Sequence, residues 1–219
     1  MQSPRIALIH ATPVAIEPIV SAFKRLWPTA RTTNLLEDSL SADLAADGRL
    51  TDRLTERFIT LGRYVRCCGA DAILFTCSAF GPAIEAARAA LDVPVLKPNE
   101  AMLDEALAAG THIGLIATFE PSIPSLKAEL EALAVQKGVK LTIRTCAVPA
   151  ALAALHNGGL DEHDRLIVAA AEAMDDCEAL ILGQFSMASA AESIPSRRGR
   201  TVLTSPGSAV MRLKQALGA

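Results

Sequence analysis

Three pairs of landmarks in this chain recur at nearly the same shift, and that regularity limits the fold more than any single motif. Thr12 precedes Thr118 by 106 residues, Cys77 precedes Gln184 by 107, and Val95 precedes Val202 by 107. In both halves the landmarks follow or lie in short apolar runs. The pattern is that of an internal duplication, with each half folding into the same kind of unit.

Within each half, short apolar runs alternate with longer segments of helical period. Arg5–His10 reads as a buried strand, residues 13–26 as a helix opened by Pro13, and residues 31–35 as a second strand. Leu50, Leu54, Phe58, Leu61, Val65 and Cys68 recur in steps of three and four, which describes one face of a helix that Gly69 ends. Residues 72–76 read as a strand leading into Cys77, Gly81-Pro82 opens a helix, and residues 93–96 form a short strand. The second half repeats the order. It has a strand at His112–Ala117, a helix marked by Ile123, Leu126, Leu130 and Leu133, and a strand over 140–146. A helix over 161–175 follows with Asp161 as its cap, then strands at Ala179–Leu182 and Thr201–Thr204, and a helix over 206–217. Asp38, Ser39 and Asp43 are assigned to a loop above the site.

This alternation predicts an α/β fold of two pseudo-symmetric lobes, each a parallel sheet flanked by helices. The first lobe is expected over residues 1–97 plus 205–219 and the second over 98–204. Ligands in open α/β sheets bind beyond the strand C-termini. Thr12, Cys77, Thr118 and Gln184 all stand at such ends, so the active site is expected in an interlobe cleft.

Several function classes lack support. The net charge of −3 and a single Trp and Tyr argue against a nucleic-acid binder, which needs basic and stacking surfaces. The one basic cluster, Arg197-Arg198-Gly199-Arg200, reads as a solvated turn. No apolar run reaches the roughly 20 residues of a membrane span, and the apolar stretch after Arg5 is too short for a signal peptide, so a cytoplasmic location is expected. The five cysteines include no CxxC pair, which leaves neither a disulfide framework nor a structural metal site. Phosphate-cradling glycine motifs and the GxSxG nucleophile elbow are missing. Cys67, Cys68, Cys146 and Cys177 read as packing residues, and His112, His156 and His163 as surface residues. Cys77, alone at a strand end in the sequence Thr-Cys-Ser, reads as the reactive thiol.

The stretch Phe75-Thr76-Cys77-Ser78-Ala79-Phe80-Gly81-Pro82 resembles the first cysteine motif of the aspartate/glutamate/hydantoin racemase superfamily. Ile113 to Thr118 resembles its central strand, ending in a ligand-binding threonine. Leu180-Ile181-Leu182-Gly183 resembles the strand before the second cysteine, and residues 201–209 the last strand and turn. The likeness spans nearly the whole chain. It implies two pseudo-symmetric lobes with the site between them, no cofactor and no metal, a small carboxylate as substrate, and a homodimer, the assembly relatives commonly form. It also implies Cys77 as one catalytic residue. At the second cysteine position this chain has Gln184.

Racemisation at the carbon alpha to a carboxylate needs one acid/base group on each face. The N–H groups of Ser78 and Ala79, ahead of the helix at Pro82, suit a carboxylate or a developing enediolate, and a helix N-terminus can lower a thiol pKa. Thr12, Pro13, Thr118 and Phe119 flank the same region, and Phe185 and Ser186 offer equivalent amides in the second lobe. No Arg or Lys falls within these motifs, so backbone and hydroxyl donors are expected to hold the carboxylate. A carboxamide carries no transferable proton near neutral pH, so Gln184 leaves three readings. Ser186, His10 or water supplies the second proton of a racemase or isomerase; one thiol suffices, as in the family's malonate-type decarboxylases, whose cysteine matches the Gln184 position; or Cys77 attacks as a nucleophile, as in the maleate isomerase-like branch, which keeps both cysteines. Two further classes stand beside these, a non-catalytic small-carboxylate binding protein and a cysteine hydrolase using His10.

Overall fold

The computed structural model describes residues 3–219. Strand β1 (Arg5–His10) is apolar and almost wholly buried, and it lies between two parallel partners. One is β2 (Arg31–Leu36), an outer strand whose Arg, Thr and Asn side chains reach solvent. The other is β3 (Ala72–Phe75), buried along its whole length, which pairs on its far side with β4 (Val95–Leu96). The strand order is β2-β1-β3-β4. A second sheet has the same order with new strands: β6 (Thr142–Ala147), β5 (His112–Ala117), β7 (Ala179–Leu182) and β8 (Thr201–Thr204), again all parallel. In each sheet the two inner strands carry unbroken apolar runs, as strands covered on both faces must. The fold is therefore the α/β class that the alternating pattern predicts.

Helices connect the strands. The first unit contains α1 (Ile16–Leu26), α2 (Ser39–Asp47), α3 (Asp52–Cys67) and α4 (Gly81–Ala89). Then come α5 (Glu100–Ala109), α6 (Ile123–Lys137), α7 (Pro149–His156), α8 (Leu160–Glu172) and α9 (Ser205–Ala216). The chain divides into two compact units, one reaching Glu100 and including Ala209–Ala219, the other Ala101–Ser208. Both junctions fall within helices, α5 and α9, a few residues beyond the ends of β4 and β8 where the sequence reading put them. Among the described residues no helix is long and apolar enough to cross a membrane.

Helix α3 explains how the first unit presents Cys77. Thr51 caps its start, accepting a hydrogen bond from the Leu54 N–H, and Gly69 ends it at φ 85°. Its buried Phe58 stacks on Phe75 at 5.1 Å between centroids and packs at a tilt against Phe80 at 4.8 Å. Those two rings bracket Cys77 in the sequence, so aromatic packing fixes both ends of its turn. In the second sheet Gly114 matters for a different reason. A Cβ there would approach the Leu180 side chain to 2.6 Å and the Met174 sulfur to 2.8 Å, so a side chain on β5 at this point would have to displace both.

Five local expectations are corrected. Cys67 and Cys68 are not packing residues but lie exposed at the end of α3. Asp38, Ser39 and Asp43 do not form a loop: Asp38 precedes α2 and the other two lie in it. Asp161 is not a cap; α8 starts one residue earlier behind Gly159, and Asp161 sits in its first turn, where a carboxylate complements the helix dipole. His163 is not at the surface but fully buried on the inner face of α8. The strand expected over 93–96 is ladder-paired only at Val95 and Leu96.

Candidate active site

In the first unit, β3 gives way at Cys77 to a 3-10 turn, Ser78–Phe80, that leads directly into α4. Cys77 has extended backbone angles, φ −120° and ψ 119°, and is half-buried, while Ser78 and Ala79 are exposed. Burial pushes the thiol pKa up from its ordinary value, and a hydrogen bond from the Ala79 N–H opposes that rise without cancelling it. The lowered pKa expected from a helix N-terminus is thus not the outcome. Desolvation wins, and the neutral thiol is favoured over the thiolate. Thr12 and Pro13 follow β1, the neighbour of β3, with Thr12 half-buried and extended and its hydroxyl making no capping bond.

Ile9, His10, Ala11, Leu40, Phe58 and Phe75 pack around the Cys77 side chain in a narrow, apolar crevice. Helix α2 closes one side of it through Leu40. That helix is held by Ser41, whose hydroxyl donates to the Ala11 carbonyl at 3.0 Å, and by Arg57 of α3, which bonds Ser39 at 2.7 Å and pairs with Glu37 and Asp43. Arg57 is thereby neutralised by two carboxylates of its own unit.

His10 is fully buried and tied at both ring nitrogens, Nδ1 to the Thr76 hydroxyl at 2.8 Å and Nε2 to Asn34 Oδ1 at 3.0 Å. An amide oxygen only accepts, so Nε2 carries the proton and Nδ1 accepts from Thr76. Burial lowers the His10 pKa, with the Asn34 bond opposing. The ring is a neutral brace across β2, β1 and β3, with neither nitrogen free to serve as an acid or base. Sequence reading missed Asn34 and Thr76 as its partners. Their parallel register is invisible before the strands are paired.

In the second unit, Thr118 and Phe119 follow β5, and Gln184, Phe185 and Ser186 follow β7, its neighbour. Thr118 is buried and Phe119 is half exposed. Gln184 Oε1 accepts from the Thr118 backbone N–H at 2.7 Å and from the Thr118 hydroxyl at 3.3 Å. Its Nε2 donates to Ser122 Oγ at 2.7 Å, and that hydroxyl donates to the Phe119 carbonyl at 2.7 Å. Both ends of the carboxamide are engaged. Phe185 and Ser186 begin a run of 3-10 turns, Phe185–Ser193, pinned to α8 where Ser189 donates to Asp164 at 2.8 Å. The same Asp164 oxygen holds buried His163 at 2.7 Å through Nδ1. Ser122, His163, Asp164 and Ser189 were not predicted as site supports; nothing in their spacing marks them. Each unit thus collects its predicted residues at the C-terminal end of its own sheet. No group of three His, Cys, Asp or Glu side chains suited to a metal occurs among the described residues.

The chain belongs to the Asp/Glu/hydantoin racemase family, whose model matches residues 16–213. Among solved structures it is similar to unliganded arylmalonate decarboxylase, with a TM-score of 0.67 at 17% identity, covering 99% of this chain and 94% of that one. It is similar to an aspartate racemase homologue from Pyrococcus horikoshii OT3, with a TM-score of 0.69 at 16% identity and 100% coverage of both chains. A third similar structure is the aspartate racemase of Picrophilus torridus, with a TM-score of 0.69 at 12% identity, covering 99% of this chain and 95% of that one. No curated protein sequence gives a significant match.

Proposed function

We propose that this protein is a cofactor-independent enzyme that transfers a proton at the alpha carbon of a small carboxylate, with Cys77 as the proton-bearing group. The observation carrying this reading is the Cys77 turn: a desolvated thiol at a strand end, beside exposed Ser78 and Ala79, in a member of the Asp/Glu/hydantoin racemase family. The Ser78 and Ala79 amides and the Thr12 hydroxyl are proposed to bind the carboxylate and to stabilise the enediolate that forms when the alpha carbon gains negative charge. Thr118, Phe119, Phe185 and Ser186, beyond β5 and β7, are proposed as further substrate-binding residues.

Gln184 bears on the choice between the isomerase and lyase versions of this chemistry. A two-base racemase needs a second proton carrier, and a carboxamide engaged at both ends is not one. The engaged Gln184 supports a second, narrower reading, single-thiol decarboxylation of a malonate-type acid, the activity named for one structural neighbour, with the thiol at Cys77 where that branch of the family carries its cysteine at the Gln184 position. In that step the C–CO2 bond breaks, its electron pair enters the enediolate, CO2 leaves, and the thiol proton moves to carbon; water then returns a proton to the thiolate. Proton NMR in D2O on small α-substituted acids and malonates separates the versions. Loss of the alpha proton with inversion supports the isomerase, and CO2 release with one deuterium added at carbon supports the lyase. Neither signal from any acid would refute the proposal.

A further inference from the structure

The hydrogen bonds around Gln184 form a closed set whose polarity can be read in only one sense. Thr118 presents two donors, its N–H and its hydroxyl, converging on one point, and Gln184 Oε1 occupies that point at 2.7 and 3.3 Å. The opposite amide orientation would set an NH2 group against the Thr118 N–H, donor against donor. Nε2 is anchored in turn by Ser122, whose own hydroxyl is committed to the Phe119 carbonyl. An N–H and an O–H aimed at one point are the pair that would hold one oxygen of a carboxylate. Here a neutral oxygen of the chain itself fills it.

We propose that Gln184 is a specificity-determining residue: it stands in for a carboxylate oxygen on the Thr118 donor pair and denies that position to substrate. A molecule with a second carboxylate directed at Thr118 must first displace an amide hydrogen-bonded at both ends. Gln184 therefore selects acids whose far end is uncharged, against aspartate-like or glutamate-like dicarboxylates. This inference rests on the reading that the protein takes a small carboxylate.

The test is a 15N–1H NMR titration of the whole chain with succinate and with butanoate. In the wild type the Thr118 amide and the Gln184 side-chain NH2 pair keep their shifts at saturating succinate. In Gln184→Ala the Thr118 amide moves with succinate, and the succinate Kd falls about tenfold or more, equivalent to roughly 1.4 kcal/mol. Movement of the Thr118 amide or the Gln184 NH2 in the wild type overturns the inference, as does a silent Thr118 amide in Gln184→Ala. Should that variant not fold, the wild-type Gln184 resonances decide alone. The Ser78 and Ala79 amides report separately on the proposed carboxylate site. If they stay unmoved in both proteins, that reading fails while the Thr118 result still stands.

Discussion

Replacing Thr76 with Val isolates the buried polar string that braces the Cys77 turn. The two side chains are nearly isosteric, so volume and strand preference are conserved and only the hydroxyl is lost. The hydroxyl donates to His10 Nδ1 at 2.8 Å; its contact with the Ile9 carbonyl, at 3.4 Å, is long and adds little. His10 is fully buried and its Nε2–H is committed to Asn34, so a change of tautomer cannot rescue Nδ1. An acceptor left unpaired in the interior costs about 1–3 kcal/mol. With a urea slope of about 2 kcal/mol per M, the midpoint should fall by about 1 M. Trp27, the only tryptophan, is buried in the first unit, and its fluorescence follows the unfolding of that unit. Adding His10→Leu removes the orphaned acceptor as well, and exposed Asn34 turns to water. The double variant should therefore recover part of the loss. A Thr76→Val protein within about 0.5 kcal/mol of wild type would refute the reasoning, because a change that small is ordinary for a surface site.

Because burial raises the Cys77 pKa, its alkylation by iodoacetamide, followed by peptide mass spectrometry, should reach half its maximal rate above about pH 8.5, the value for a free thiol. The His10 pKa is lowered on folding, so the unfolded chain binds the proton first as pH falls; this contribution is intact above about pH 6.5 and is lost progressively below it. His10→Leu should flatten that slope in urea titrations between pH 5 and pH 7 taken at about one-unit steps. Phe58→Ala removes the ring that packs against both Phe75 and Phe80 and should cost about 3–5 kcal/mol, with faster Cys77 alkylation as the turn loosens. An unchanged alkylation rate would separate the turn from its aromatic support.

The sheets were legible because their inner strands carry unbroken apolar runs, at 6–9, 72–75, 113–117 and 179–182. Three helices escaped. The α5 sequence, EAMLDEALAA, and the α7 sequence, PAALAALH, are apolar on more than one face, and α2 is short and rich in Ala and Asp, so none shows a clean helical stripe. His163 was misplaced for a related reason: its burial depends on α8 meeting the 3-10 segment after Gln184, a contact between distant parts of the sequence. The strand-end residues of the candidate site could be named because chain order puts them where strands stop. What they do could not. The direction of the Cys77 pKa follows from desolvation, and the engagement of Gln184 follows from where Thr118 and Ser122 come to rest. Both are properties of packed coordinates, and no spacing rule encodes them.

The account turns on the thiol of Cys77 carrying the transferred proton. Using whichever acid the NMR screen identifies, deuterium incorporation at the alpha carbon should be measured for the wild type, Cys77→Ala and Cys68→Ser, the last altering an exposed cysteine. The prediction is that Cys77→Ala keeps its Trp27 fluorescence and its carboxylate affinity while incorporation falls at least about a thousandfold, a loss of roughly 4 kcal/mol in transition-state stabilisation. Cys68→Ser should match the wild type. Incorporation persisting in Cys77→Ala at a tenth of the wild-type rate or more, about 1.4 kcal/mol or less, would contradict the assignment.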